Sequence, residues 1–105
     1  MRKKIKIPIY NTNLILIKGE DFEKLHEEFD LDIDIGYQAI TFEYNNQIVV
    51  FFNDKVSLNT IVHESVHVCS FLYYRIGATK DIINDEHEAY ITAWIIEQID
   101  KFINK

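Results

Sequence analysis

The sequence predicts an α+β domain: a small, mostly antiparallel sheet from the N-terminal half, with one short helix, packed on two long C-terminal helices. Three observations carry this. Apolar residues alternate with period two in short runs before residue 55 and recur at spacings of three and four after residue 57. Turn and cap residues separate these runs. The 105 residues, 48% hydrophobic with 3 Gly and 1 Pro, suit one core-forming domain spanning 1–105 rather than two.

Taken in order, Ile5, Ile7 and Ile9 alternate with Lys6 and Pro8, and Leu14 to Ile17 form a second β-branched run closed by Lys18 and Gly19. Both predict strands. Over residues 20–29, Phe22, Leu25 and Phe29 are spaced by three and four with acids in the first turn, the pattern of an amphipathic helix. Asp30, Asp32 and Asp34 alternate with Leu31, Ile33 and Ile35 as in a half-buried strand, without the glycine and terminal glutamate of a calcium loop. Residues 39–44 alternate, Asn45 and Asn46 tolerate the positive φ of a hairpin turn, and residues 47–53 are apolar on both faces. That strand, Ile48 to Phe52, belongs deep in the sheet or beside a covering helix. Ser57 can cap a helix running to Ile76 and stopped by Gly77. Asn84 or Asp85 can cap a second one, over residues 84–104, and the short connection makes the two neighbours.

Composition excludes several classes of function. Eleven basic residues against 17 acidic ones, a net charge of −6, disfavour a surface that tracks phosphates, so no nucleic-acid partner is expected. The basic start Arg2-Lys3-Lys4 is followed by an interrupted apolar run unlike a signal peptide, and no stretch reaches the roughly 18 apolar residues of a membrane span. One cysteine, Cys69, permits no internal disulfide and points to a reducing, cytoplasmic setting. On the wheel Cys69 joins Leu58, Ile61, Val62, Ser65, Val66, Leu72 and Ile76 on the main apolar face of the first long helix, so it reads as core. His26 reads as solvated and Trp94 as a packing anchor.

The chemistry-bearing segment is His63-Glu64-Ser65-Val66-His67. Two imidazoles four residues apart lie one above the other on a helix face, about 6 Å apart, the spacing that one tetrahedral zinc ion asks of two ligands. Glu64 lies beside that face, where its carboxylate can reach an activated water without binding the ion. These histidines point away from the main apolar face, and Phe71 and Tyr74 extend their side, so a covering element is expected; the second long helix is the candidate. A catalytic zinc needs a third protein ligand. Glu86 continues into Ala89, Ala93 and Ile96, a small-residue face suited to close helix approach, and is the preferred donor. Glu88, sharing a face with Thr92 and Ile95, and His87, sharing one with Tyr90, Ile91 and Trp94, are not excluded.

The HExxH segment followed by Asp85-Glu86-His87-Glu88-Ala89-Tyr90 resembles the gluzincin metallopeptidases, with HExxH on one helix and Glu-x-x-Ser/Ala-Asp on the next. The resemblance covers residues of about 57–100. In size the chain is similar to minimal "minigluzincin" domains and to the short HExxH proteins frequent in phage and mobile-element genomes. It implies a zincin-like fold, one Zn²⁺ ion on His63, His67 and Glu86, Glu64 as general base, and a peptide or protein substrate. Two positions depart from the pattern. Tyr90 stands where the family has an Asp that orients the first histidine; its phenol can accept the ring N–H of His63 or pack between the helices. The oxyanion donor that larger gluzincins bring from a further domain has Tyr73, Tyr74 and Arg75 as candidates here, none singled out. In such folds an edge strand holds the substrate; residues 47–53 are the candidate, and they read equally as a core strand. The expectation is a zinc-dependent peptide hydrolase. Its rivals are a zinc-stabilised binding or accessory protein and a metal-free interaction protein.

Overall fold

The computed structural model describes residues 1–8, 10–31 and 38–104. Ile9 and the alternation expected at 32–35 lie outside them.

The chain order is β1 (Arg2–Ile7), β2 (Thr12–Lys18), α1 (Phe22–Phe29), β3 (Ala39–Tyr44), β4 (Gln47–Phe52), α2 (Leu58–Ile76) and α3 (Glu86–Ile103). The architecture is α+β, with one four-stranded sheet ordered β1-β2-β4-β3. β1 pairs antiparallel with β2, and β3 with β4; β2 and β4 run parallel, Leu14 opposite Ile48 and Leu16 opposite Val50. The sheet is therefore mixed. The parallel pair arises because the chain leaves β2, passes through α1 and returns by way of the β3–β4 hairpin. Asn45 and Asn46 make that hairpin turn at φ 50° and 61°, as a two-residue primed turn requires.

Side-chain alternation splits the core into two layers. On one face Leu14, Leu16, Ile48, Val50 and Phe52 meet α2 and α3; on the other Ile17, Val49 and Phe51 meet Leu25 and Phe29 of α1. β4 is interior and covered on both faces, which explains its unbroken apolar run. Its edges are both paired, so it cannot seat a substrate strand. Among the described strands that role is open only to β1 and β3. Each buried apolar side chain of β4 contributes about 1.5–3 kcal/mol, which makes this strand the centre of stability.

The caps follow the sequence closely. Ser57 Oγ accepts the Thr60 N–H, and Gly77 closes α2 at φ 70° with the Ala78 N–H returning to the Tyr73 carbonyl. Asp21 caps α1 by accepting the Glu23 N–H, whereas Asp85 precedes α3 without a side-chain cap bond. No helix among the described residues is long and apolar enough to cross a membrane.

The helix faces differ from the expected ones. α2 buries Ile61, Glu64, Ser65, Val68, Cys69, Leu72 and Tyr73, while Leu58, Val62, Val66 and Ile76 stay exposed. The buried stripe is rotated from the most apolar one because α2 lies on the sheet and α3 together, and the sheet claims the side that carries Glu64. Ser65 is tolerated there because its Oγ donates to the Ile61 carbonyl at 2.6 Å. α3 buries Ile95, Ile99 and Phe102, a face that continues back through Thr92 to the half-buried Glu88; Glu86, Ala89 and Ala93 are exposed. The small-residue face does not pack on α2. Cys69 is a core thiol, and burial pushes its pKa up.

Candidate metal centre

The second and third turns of α2 present His63 and His67 on an exposed side, with the Nε2 atoms 3.2 Å apart. Two donors about 2.05 Å from a tetrahedral ion lie about 3.3 Å apart, so this separation suits one zinc ion. Glu64 is turned inward and is only 5% exposed. Its Oε1 accepts a hydrogen bond from Thr41 Oγ1 at 2.8 Å, and its Oε2 lies 3.9 Å from His63 Nε2.

The element beside the pair is β3. Ala39, Thr41 and Glu43 have the parity that faces α2, while Ile40, Phe42 and Tyr44 face α1, where Phe42 and Tyr44 meet Phe29 edge-on. Polar contacts stitch the strand region to the helix at three points: Thr60 Oγ1 donates to Gln38 Oε1 at 2.6 Å, Thr41 donates to Glu64, and Arg75 Nε donates to Glu43 Oε2 at 2.6 Å. Between strand and helix runs a groove made of three adjoining hollows. The first, about 250 Å³, is lined by Gln38, Ala39, Asn59, Thr60, His63 and Glu64. The next, about 300 Å³, shares His63 and Glu64 and adds Thr41, His67 and Phe71. The last, about 360 Å³, continues from His67 and Phe71 to Glu43 and Tyr74. Among the described residues β3 pairs only with β4, and its outer backbone edge borders this groove.

α3 packs on the other flank of α2 and does not cover the histidines. Its first turn docks beside residues 70–73, one to two turns beyond His67: Tyr73 meets His87, and Lys80 joins Ser70 Oγ to Glu88 at 2.9 Å each. The three candidates for a third ligand are thus placed apart from the pair. Glu86 is the exposed first residue of α3. Glu88 pairs with Lys80. His87 offers Nε2 to the Tyr10 hydroxyl and Nδ1 to the Tyr73 hydroxyl, the latter at 2.8 Å. Among the described residues no three His, Cys, Asp or Glu side chains are gathered to hold a metal. The donor set fits zinc at two positions, and among the described residues a third is not assembled.

Tyr90 is 74% exposed and lines a hollow with Ile7, Pro8, Tyr10, His87, Ile91 and Trp94, sharing no wall with His63. It is not a partner of that ring. Of the three oxyanion candidates, Tyr73 is buried against His87 and Arg75 is held by Glu43 and the Asn46 carbonyl. Tyr74, 82% exposed, lines the groove with His67. Sequence reasoning missed Thr41 and Gln38. The only signal for Thr41 was a parity shared with Ala39 and Glu43, which has no meaning until the strand next to α2 is known, and Gln38, one residue ahead of β3, carried none.

No family model, curated protein or solved structure matches the chain.

Proposed function

We propose that the chain is a zinc-dependent peptide hydrolase with a zincin-like site in which His63 and His67 hold one zinc ion and Glu64 is the general base. The observation that carries this reading is the convergence of two imidazole nitrogens at 3.2 Å beside a buried carboxylate, on a groove bordered by a sheet edge. The edge strand β3 can pair with an extended peptide and lay its carbonyl along the histidines. Bound zinc supplies an activated water whose pKa falls to about 7. Glu64 accepts a proton as water attacks the carbonyl and returns it to the leaving amine. Of the three oxyanion candidates Tyr74 is the one that lines the groove, and its hydroxyl is offered to the developing oxyanion.

The third donor is Glu86 on the family resemblance, while the packing turns the Glu88 face toward α2; zinc titration of Glu86→Gln and Glu88→Gln separates the two. Protein purified without chelator should carry about one zinc per chain, and His63→Ala with His67→Ala should remove it. Zinc below about half an equivalent in wild type, or unchanged zinc in the double variant, overturns the reading.

A second reading keeps the ion as a clamp in a binding or accessory protein. Among the described residues no third donor is gathered beside the pair, which favours it. Glu64→Gln decides, because a hydrolase should lose activity by a factor of about 10² or more with zinc retained. A wild type that cleaves no peptide in a mixed fluorogenic library supports the clamp.

A further inference from the structure

We infer that Thr41 is a positioning residue for Glu64: its hydroxyl fixes one carboxylate oxygen so that the other is presented to the histidine pair. The inference rests on the hydrolase reading above and adds a residue to it.

A carboxylate at the end of a glutamate side chain has a broad, two-fold terminal torsion and does not orient itself. Glu64 is also nearly fully buried, where an ionised oxygen without a donor is costly. Thr41 answers both needs. Its Oγ1 donates to Oε1 at 2.8 Å, leaving Oε2 as the oxygen near His63, 3.9 Å from Nε2. The β-branched side chain has few χ1 choices on a strand, and β3 is itself fixed to α2 on either side of Thr41, by the Gln38–Thr60 bond and the Glu43–Arg75 pair. The hydroxyl therefore arrives from a held backbone.

The placement has a functional corollary. Thr41 sits mid-way along β3, the outer strand of the described sheet, so the strand that would receive a peptide also sets the direction of the base. A shift of β3 by even 1 Å would move substrate and base together.

Two variants test this in the 105-residue chain loaded with zinc. Thr41→Val keeps the shape and removes the donor; Thr41→Ser keeps the donor. With a fluorogenic peptide, Thr41→Val should lower kcat by about 10- to 100-fold with KM and zinc content unchanged, and Thr41→Ser should return kcat to within about threefold of wild type. In zinc-free protein, the carboxylate infrared band assigned to Glu64 by difference from Glu64→Gln should shift in Thr41→Val and return in Thr41→Ser. The inference is overturned if kcat of Thr41→Val stays within twofold of wild type, if KM alone changes, if serine fails to rescue, or if the band does not move. A wild type that hydrolyses no peptide overturns the parent reading and this role with it, and the infrared band then still tells whether the hydrogen bond exists.

Discussion

The histidines of α2 and the histidine of α3 end in opposite situations. His87 has a tyrosine hydroxyl at each ring nitrogen, Tyr10 on Nε2 and Tyr73 on Nδ1. A neutral imidazole has one N–H and one lone pair, and a hydroxyl can match either, so this ring is satisfied by the fold itself. His63 and His67 instead turn their Nε2 atoms toward each other, beside a groove and a buried carboxylate. The first arrangement ties α3 to α2 and to the residues after β1. The second contributes little to folding and leaves two strong donors aimed at one point. A histidine's role is decided by what meets its nitrogens, not by the helix that carries it.

The largest effect comes from breaking the satisfied side. Tyr73 is a core residue as well as a partner of His87, so Tyr73→Ala should cost about 3–5 kcal/mol in urea unfolding, with zinc per folded chain unchanged. A loss of zinc out of proportion to unfolding would mean that the two sites are coupled. Next, His63→Ala with His67→Ala should change metal-free stability by no more than about 0.5 kcal/mol, since the pair lies on an exposed stretch of α2. It should abolish the zinc-dependent gain, about 2.7 kcal/mol when free zinc is a hundred times the dissociation constant. Thermal melts with and without zinc check both halves.

A smaller change sharpens the contrast. Tyr10→Phe removes one hydroxyl from His87 and should cost about 1 kcal/mol, roughly 4–8 °C in Tm, with no effect on zinc binding. The smallest effect is a pH control remote from both histidine sites. Arg2 hydrogen-bonds Glu20 and Glu28 and holds both carboxyls below their ordinary value of 4.5. Because the folded-state values are depressed, the stabilisation is present above that pH and is lost as pH falls through the lowered values. For these largely exposed pairs it amounts to about 0.5 kcal/mol, so the stability gap between wild type and Arg2→Gln should shrink from pH 7 to pH 3.

Much of this was legible in the chain. The Asn45-Asn46 turn, the Ser57 and Gly77 caps and the two-faced apolar run of β4 each follow from local stereochemistry or short-range periodicity, and each lies where the pattern placed it. The helical faces were not legible. Val62 and Val66 look like core residues on a wheel but stay exposed, and Glu64 is buried, because two neighbours of different kinds compete for α2. For α3 the alanines suggested a contact that Thr92, Ile95 and Ile99 make instead.

By itself the sequence determined that two imidazoles share one helical face with a carboxylate beside them, because helix geometry fixes residues four apart without reference to anything else. Only the tertiary structure decided what lies across from that face. The parallel pairing of β2 with β4 puts β3 on the outside of the sheet, and from there Thr41 reaches Glu64. That pairing joins segments about thirty residues apart, and its register depends on packing between two helical layers, which no local pattern encodes.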